Sequence, residues 1–166
     1  MATLAGCPYW VRERLGGCRL PEPSDFEALR RRGVTLIVSL VESGEFEDAW
    51  PGGEEDFLDT ARRLGIRVLR LPTPDFSAPD LVGACRAYGE ILEELRRGGV
   101  VVVHCRGGSG RTGSFLAGYL AWSEGLSADT AIGEVEKHGA VLEVEDQYEF
   151  VREIAERCPR PEGARA

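Results

Sequence analysis

Residues 100–113 read VVVVHCRGGSGRTG, and the rest of the chain is arranged around them. The four valines at the start form a short β-branched run, which is typical of a buried strand. Beyond the last glycine, apolar residues recur at the spacing of a helix face: Phe115, Leu116, Tyr119 and Leu120. The glycine-rich segment in between is therefore a loop that joins the end of a strand to the start of a helix.

A loop of this kind is suited to binding an anion the size of phosphate. Backbone amides curled around glycines, together with the N-terminus of the following helix, attract negative charge to one spot. Cys105 opens the loop and Arg111 closes it. Because the same field favours a thiolate over a thiol, the sequence predicts a nucleophile and an anion-binding site in one loop.

Three interpretations compete for the loop. Residues 108–113 fit the GxGxxG pattern of dinucleotide-binding proteins, but a strand ending in an acidic residue should follow that pattern, and helices follow here. A Walker loop requires a lysine before its Ser or Thr, and Arg111 occupies that position. The pattern Cys-x5-Arg-Thr uses all the polar residues, because the two ends of so short a loop can flank one tetrahedral oxyanion. We adopt this third interpretation.

Predicted strands and helices alternate along the rest of the chain. The strands are expected at residues 9–11, 15–20, 34–40, 66–71 and 100–103. The helices are expected at residues 24–32 (with a capping box at Ser24-x-x-Glu27), 54–64, 77–97, 111–124, 127–138 and 145–157. This alternation predicts an α/β fold, with a mostly parallel sheet of about four to five strands flanked by helices. We expect a single domain over residues 1–166, with its core at about 9–157 and a loose tail at 159–166.

Composition narrows the class of protein. The net charge of −8 and the lack of a basic stripe disfavour a nucleic-acid partner, and no apolar run reaches the length of a membrane span. Residues 1–8 lack the basic region and long apolar core of a secretory signal, so we expect a cytoplasmic protein without a membrane partner. The basic residues are nearly all arginine and side-chain amides are scarce, which a thermophilic source or a GC-rich genome would explain equally well.

The cysteines are scattered along the chain and form no CxxC pair. They are odd in number, at Cys7, Cys18, Cys85, Cys105 and Cys158. This pattern argues against a disulfide framework and against a zinc site. We interpret the four cysteines outside the loop as buried structural thiols, and we expect no metal or other cofactor.

The loop sequence His-Cys-x5-Arg-Thr-Gly resembles the cysteine-based protein tyrosine phosphatases. Further similarities lie at Trp10-Val11, at the strand end 38–42, in the Pro74-Asp75-Phe76 loop and in the Glu143-x3-Gln147 segment. Small atypical dual-specificity phosphatases of the VHZ-like group place similar residues at these points, so the resemblance covers residues 9 to 157. It implies a hydrolase of phosphotyrosine in a phosphoprotein, with phosphoserine and phosphothreonine as further substrates.

The resemblance also implies a role for each polar residue of the loop. Cys105 is the expected nucleophile, and the planar guanidinium of Arg111 binds two phosphoryl oxygens, most strongly in the transition state. Thr112 is expected to donate a hydrogen bond to the sulfur as it leaves in the second step, and His104 to be a buried brace. The phosphate-binding backbone is expected to run through Arg106, Gly107, Gly108, Ser109 and Gly110.

Residues outside the loop are expected to transfer the proton to the leaving group and to position the water molecule. Asp75 is the candidate acid, because it follows a strand parallel to the valine strand and such loops gather at one edge of the sheet. Asp80 is the rival, although its place in a Ser-x-x-Asp pattern suits a helix cap. Gln147 is similar to the glutamine that orients the water which hydrolyses the cysteinyl-phosphate. Glu143 is similar to an acidic residue of the same segment, and Ser39 is a candidate brace of the loop.

Other functions remain open at this point. Phosphoinositide and RNA 5′-triphosphate substrates are alternatives, although the loop has no lysine of the kind that inositide phosphatases carry. Low-molecular-weight phosphatases place the cysteine loop at the start of the chain and the acid late, and rhodanese-type sulfur transfer does not require the Arg-Thr-Gly ending. A non-catalytic phosphopeptide-binding module would usually have lost the cysteine, which is intact here. The sequence does not predict an oligomeric state.

Overall fold

Five short strands form one sheet in the computed structural model, which describes residues 7–161. The strands are β1 (Tyr9–Arg12), β2 (Leu15–Cys18), β3 (Leu36–Ser39), β4 (Arg67–Arg70) and β5 (Val101–His104). The helices are α1 (Phe26–Arg31), α2 (Gly53–Arg63), α3 (Leu81–Arg96), α4 (Gly110–Glu124), α5 (Ala128–Glu136) and α6 (Glu145–Arg157). Two 3₁₀ turns, Pro23–Asp25 and Ser43–Asp48, follow β2 and β3.

The valine strand β5 lies at the centre of the sheet, whose order is β1-β2-β5-β3-β4. It runs parallel to β2 and β3, and β4 continues the sheet parallel to β3. Only β1 is antiparallel, as the outer strand of a hairpin with β2. The predicted α/β fold with a mostly parallel sheet is therefore confirmed. Because the parallel strands end at the same edge, the loops after β3, β4 and β5 meet there.

Helix α4, which follows the glycine-rich loop, runs through the middle of the molecule. Every residue from Gly110 to Ser123 is buried, and α4 packs against both α5 and α6. A helix that is apolar on all sides is expected at such a central position. The loop is thus held between a buried strand and a buried helix, and both of its ends have little freedom to move.

The first helix begins differently from the prediction. The predicted box paired Ser24 with Glu27, whereas in the structure the Glu22 amide donates to the Asp25 carboxylate at 2.7 Å. Pro23 starts the turn early, because its missing N–H and fixed φ suit the first position of a helical turn. Asp80 caps α3 as predicted, since its carboxylate accepts the Gly83 amide at 2.8 Å, but it is the N-cap itself, and the helix begins at Leu81 and not at Ser77.

Four of the five cysteines are paired, which corrects the prediction of unpaired thiols. Disulfides join Cys7 to Cys18 and Cys85 to Cys158, and Cys105 is the free cysteine of the described residues. The partners are 11 and 73 residues apart, and no short motif marks them. The second pair forms because α3 and α6 pack together, a contact that cysteine spacing alone does not reveal.

The chain after α6 forms hydrogen bonds at residues 159 and 160, the first two residues of the predicted loose tail at 159–166. Trp122 Nε1 donates to the Pro159 carbonyl at 2.7 Å, and the Arg160 guanidinium donates to the carbonyls of Trp122 and Ser123. Residues 162–166 of that predicted tail, and residues 1–6 of the segment tested for a secretory signal, lie outside the described residues. Within residues 7–161, no helix is both long and apolar enough to cross a membrane.

Candidate active site

A cleft of about 240 Å³ opens where β5 ends and α4 begins. Its walls come from the loop after β5, the loop after β4 and the segment before α6. The lining residues are Asp75, Phe76, Cys105, Arg106, Gly107, Ser109, Gly110, Arg111 and Glu143. A larger cavity of about 390 Å³ near the β1–β2 turn is lined by no cysteine or histidine, so the chemistry predicted from the sequence lies in the smaller cleft.

The cysteine loop, defined here as residues 105–111, is held in place by hydrogen bonds that its carbonyl oxygens accept from residues outside the loop. The Tyr9 hydroxyl donates to the Gly108 carbonyl at 2.6 Å, and the Leu20 amide donates to the Arg106 carbonyl at 3.0 Å. Among the described residues, the amides of residues 106–109 have no acceptor. The carbonyls are therefore engaged on the outer side of the loop, while its amides remain available to an anion.

Gly108 is required by the shape of this loop. Its φ is 81°, a left-handed conformation that side-chain-bearing residues rarely adopt. A Cβ atom here would also lie 2.8 Å from the Arg19 amide nitrogen, which is too close for any contact. Ser109 holds the next position, since its hydroxyl bonds both the amide and the carbonyl of Val141.

Arg111 is buried beneath the cleft and is paired with a carboxylate through both ends of its fork. Nη1 and Nη2 each lie 2.9 Å from an oxygen of Glu45, and Nη1 also donates to the Thr73 carbonyl at 2.9 Å. Burial alone would lower the pKa of Arg111, but the bonds to Glu45 and the charges of Cys105 and Asp75 raise it above its ordinary value. The guanidinium therefore stays charged in spite of its burial.

Glu45 is a site residue that the sequence analysis missed. It lies in the 3₁₀ turn after β3, where its carboxylate also accepts the Glu42 amide at 2.8 Å. The Arg111 guanidinium lowers the pKa of Glu45, although burial acts in the opposite direction. A buried arginine needs an acidic partner, and this requirement was the one signal available. It could not select Glu45 among 28 acidic residues.

Asp75 reaches the cleft, whereas its rival Asp80 does not line it. The Asp75 side chain is half exposed, and its Oδ1 lies 3.3 Å from Arg111 Nη2 and accepts the Phe76 amide at 2.9 Å. Phe76 has a φ of 59° and its side chain is 60% exposed, an uncommon combination for a large residue. This strained turn sets Asp75 and the Phe76 ring at the rim of the cleft.

Gln147 and Glu143 lie on the side of the loop that faces α6. Gln147 is fully buried, accepts the Glu143 amide at 2.7 Å and donates to the Ser77 carbonyl at 3.1 Å. A Cβ atom on Gly110 would collide with the Glu143 carboxylate and lie 3.0 Å from Gln147 Nε2. The structure thus brings both predicted residues against the cysteine loop at Gly110.

The predicted supporting residues His104 and Ser39 and the predicted catalytic residue Thr112 differ in their placement. His104 is fully buried, and its Nδ1 lies 2.8 Å from the Cys105 carbonyl oxygen. The Thr112 hydroxyl is buried without a partner in the described part of the chain, so the predicted bond to the Cys105 sulfur is not formed here. Ser39 lies opposite His104 in the sheet, and its hydroxyl is 3.4 Å from Arg70 Nη1.

The chain that carries this site matches a known protein family. A family model described as "Polymorphic toxin system, DSP-PTPase phosphatase" matches residues 17–125, which run from the end of β2 through the acid loop and the whole cysteine loop to the end of α4. The chain belongs to this phosphatase family. The phosphatase is a small atypical dual-specificity enzyme of the cysteine-based protein tyrosine phosphatase superfamily, as the resemblance of its loop implied.

Individual relatives agree with this assignment. The crystal structure titled "Tk-PTP in the active form" superposes with a TM-score of 0.82 at 30% identity, covering 93% of this chain and 99% of that one. The dual specificity protein phosphatase TpbA of Pseudomonas aeruginosa PAO1 is 29% identical over 83% of this chain and 56% of its own length. Tyrosine-protein phosphatase CDC14 of Saccharomyces cerevisiae is 36% identical over 70 residues. This segment is 42% of this chain and 13% of the length of that relative.

Proposed function

We propose that this phosphatase hydrolyses phosphotyrosine in phosphoproteins, with phosphoserine and phosphothreonine as further substrates, through a cysteinyl-phosphate intermediate. The observation that carries the proposal is the meeting of Cys105, Arg111 and Asp75 in one cleft. A nucleophile, a cation for the phosphoryl oxygens and a proton donor are the three groups that such a hydrolysis requires.

In the first step the Cys105 thiolate attacks phosphorus. A sulfur–phosphorus bond forms as the bond from phosphorus to the tyrosyl oxygen breaks, and Asp75 gives its proton to that oxygen. Arg111 uses Nη1 for Glu45 and Thr73 and one proton of Nη2 for Glu45. Nε and the second proton of Nη2, which faces Asp75 at 3.3 Å until a phosphate takes its place, form the fork for two phosphoryl oxygens. The unoccupied amides of residues 106–109 bind the third phosphoryl oxygen.

In the second step water replaces the sulfur on phosphorus. Gln147 retains one N–H and one oxygen lone pair beyond its bonds to Glu143 and Ser77, so it can both donate to and accept from a water molecule. Asp75, now a carboxylate, takes the proton of that water. The partnerless Thr112 hydroxyl donates to the departing Cys105 sulfur once the loop is occupied.

The shape of the cleft favours an aryl phosphate. The exposed Phe76 ring at the rim of the cleft offers an apolar face for a tyrosyl ring. Against polyanions such as a phosphoinositide or an RNA triphosphate, the lining has only two cations, of which Arg106 is paired with Asp48 and Arg111 with Glu45. Asp75 and Glu143 further lower its affinity for additional phosphates.

The deciding experiment is a substrate panel of a phosphotyrosine peptide, a phosphoserine peptide, a phosphoinositide and an RNA 5′-triphosphate. We expect the highest kcat/KM on the phosphotyrosine peptide, competitive inhibition by vanadate and no loss of activity in EDTA. Cys105→Ser should abolish turnover and keep peptide binding. Activity that survives this change would rule out Cys105 as the nucleophile, and binding without turnover in the unchanged protein would identify a non-catalytic module.

A cytoplasmic location and a single domain over residues 1–166 stay proposals of the same kind. Disulfides are typical of oxidising compartments, but they also persist inside hyperthermophilic cells. The scarcity of side-chain amides supports the second case, in which Cys7–Cys18 and Cys85–Cys158 are compatible with a cytoplasmic enzyme. The proposal fails if the protein isolated from its own cytoplasm has five reduced thiols and these two disulfides form only after export.

A further inference from the structure

Three residues lie side by side beneath the cysteine loop, at the ends of neighbouring strands. Ser39 at the end of β3 is in register with Arg70 of β4 and with His104 of β5. Residues in register on parallel strands project from the same face of the sheet, so their side chains enter one space. Phe46 and Phe57 close that space, with their ring centroids 6.3 and 5.6 Å from the His104 ring.

The Arg70 side chain extends across β3 towards that space, and only two of its three guanidinium nitrogens donate hydrogen bonds within the described part of the chain. Nε donates to Glu54 at 2.9 Å, and Nη1 donates to the carbonyls of Ser39 at 3.1 Å and Val41 at 2.6 Å. The guanidinium lies 5.0 Å over the Phe46 ring. Nη2 is buried and has no partner among the described residues. A charged donor is therefore left unused, and the Arg70 charge is near enough to His104 to help lower the pKa of its imidazole.

His104 offers a matching acceptor. A carbonyl can only accept, so the contact of 2.8 Å with the Cys105 carbonyl requires the proton on Nδ1. Burial lowers the pKa of His104 to about 4, with the charges of Arg70 and Arg111 acting in the same direction, and the imidazole is therefore neutral near pH 7. Nε2 then carries a bare lone pair, and it too is buried without a partner in residues 7–161.

We propose that Arg70 is a positioning residue whose Nη2 donates to His104 Nε2, directly or through one buried water. Buried donors and acceptors are nearly always satisfied, and each of these two is the group that the other lacks. The bond fixes the imidazole with its Nδ1–H on the Cys105 carbonyl. A chain from Glu54 through Arg70 and His104 thereby holds the peptide at which β5 becomes the cysteine loop.

The alternative is that Arg70 only ties β4 to β3 through the carbonyls of Ser39 and Val41. Both roles predict a less stable protein when Arg70 is removed, so stability does not separate them. They differ at the His104 ring. The hydrogen bond at Nε2 exists only if Arg70 acts through His104, and its presence does not depend on the proposed phosphatase mechanism.

Nitrogen NMR of the histidine rings tests the bond directly. The chain has two histidines, His104 and His138, and His138→Gln assigns their signals in protein labelled with ¹⁵N-histidine. We expect His104 with its proton on Nδ1 and an Nε2 signal shifted towards that of a hydrogen-bonded nitrogen. An Nε2 signal of an unbonded nitrogen, or a proton on Nε2, in the unchanged protein overturns the proposal without any variant at Arg70.

The variant Arg70→Met extends the test. It should move the Nε2 signal to the unbonded position, whereas Arg67→Met, an exposed arginine on the same strand, should leave the signal unchanged. If Arg70→Met does not fold, Arg70→Gln is the substitute, because it keeps one donor but is too short to reach Nε2. An unmoved Nε2 signal in a folded Arg70 variant contradicts the proposal.

Turnover gives an independent measurement that rests on the proposed function. Arg70→Met should lower kcat about tenfold and change KM much less, since it misplaces the thiol and not the peptide-binding surface. His104→Asn keeps an amide donor for the Cys105 carbonyl and removes the Nε2 acceptor. In that background, Arg70→Met should have almost no further effect on kcat. If the two substitutions lower kcat by independent factors that multiply, Arg70 does not act through His104. A wild-type protein without phosphatase activity would count against the proposed function and would leave the NMR result valid.

Discussion

Glu45 forms a bidentate ion pair with Arg111, in which each carboxylate oxygen lies 2.9 Å from a different guanidinium nitrogen. The two residues are 66 positions apart, and the arginine side chain is only 2% exposed. This bond orients the guanidinium, because it engages Nη1 and one proton of Nη2 and leaves Nε and the second proton of Nη2 for a substrate. The orientation of the central cation is thus set by a residue of the turn after β3, outside the loop motif.

Replacing Glu45 should disable the site and weaken the fold together. Glu45→Ala leaves Arg111 buried without its carboxylate, which should reduce the free energy of unfolding by about 3 kcal/mol. We expect kcat/KM to fall by at least about tenfold, since the fork loses its orientation and Asp75 is drawn to the free charge. Denaturant titration and steady-state kinetics measure the two effects. Glu47→Ala, an exposed neighbour in the same turn, is the control that should change neither.

Substitutions of Asp75 and Asp80 should separate the acid from the helix cap. Asp75→Asn removes the proton donor, so kcat should fall about a hundredfold for a phosphotyrosine peptide and far less for p-nitrophenyl phosphate, whose leaving group needs no proton. Asp80→Asn keeps a capping side chain and should leave kcat unchanged. A leaving-group dependence that appears with Asp80→Asn in place of Asp75→Asn would mean that the wrong carboxylate was chosen.

The burial of His104 predicts a loss of stability in mild acid. An unfolded histidine titrates near 6.5, whereas burial lowers the pKa of His104 to about 4 in the folded protein. Between these values the unfolded chain binds more protons, so stability is complete above pH 6.5 and declines by about 3 kcal/mol as the pH falls to 4. Denaturant titrations across this range should show that His104→Gln flattens the decline. The exposed His138→Gln should not, and an equal effect of both changes would refute the assignment.

The two disulfides predict a defined thiol count and a large response to reduction. Unfolded without reductant, the chain should expose one reactive thiol, that of Cys105, and after reduction it should expose five. Chain-entropy estimates for loops of 11 and 73 residues give about 3 and about 4 kcal/mol of stability for Cys7–Cys18 and Cys85–Cys158. Cys158→Ser should therefore lower Tm more than Cys7→Ser. Five titratable thiols before reduction would show that neither bond forms.

Phe76 should control the preference for aryl substrates. Phe76→Gly removes the exposed ring and suits the φ of 59°, so the fold should be unchanged or more stable by up to about 1 kcal/mol. We expect kcat/KM to fall about tenfold for phosphotyrosine peptides and to change little for phosphoserine peptides. Equal losses on both substrates would instead indicate that the ring serves only to hold Asp75.

The parts of the site that could be predicted are those encoded by neighbouring residues. The loop between β5 and α4 follows from a valine run, glycines and a helical pattern, and Asp75 follows from its place after a parallel strand. The Glu45–Arg111 pair and the Cys85–Cys158 disulfide depend on how distant elements pack, and no local pattern marks them. The capping box failed for a smaller reason, since Pro23 started the turn before Ser24 could cap it.

The segment that carries Asp75 is tied down on both sides. Arg111 binds the Thr73 carbonyl on one side, and Gln147 binds the Ser77 carbonyl on the other. A segment of five residues that is hydrogen-bonded at both ends has little conformational freedom. The acid is therefore already positioned at the cleft before substrate binds. An enzyme built in this way needs no large closing motion in its catalytic cycle, and its turnover should be insensitive to solvent viscosity until product release becomes limiting.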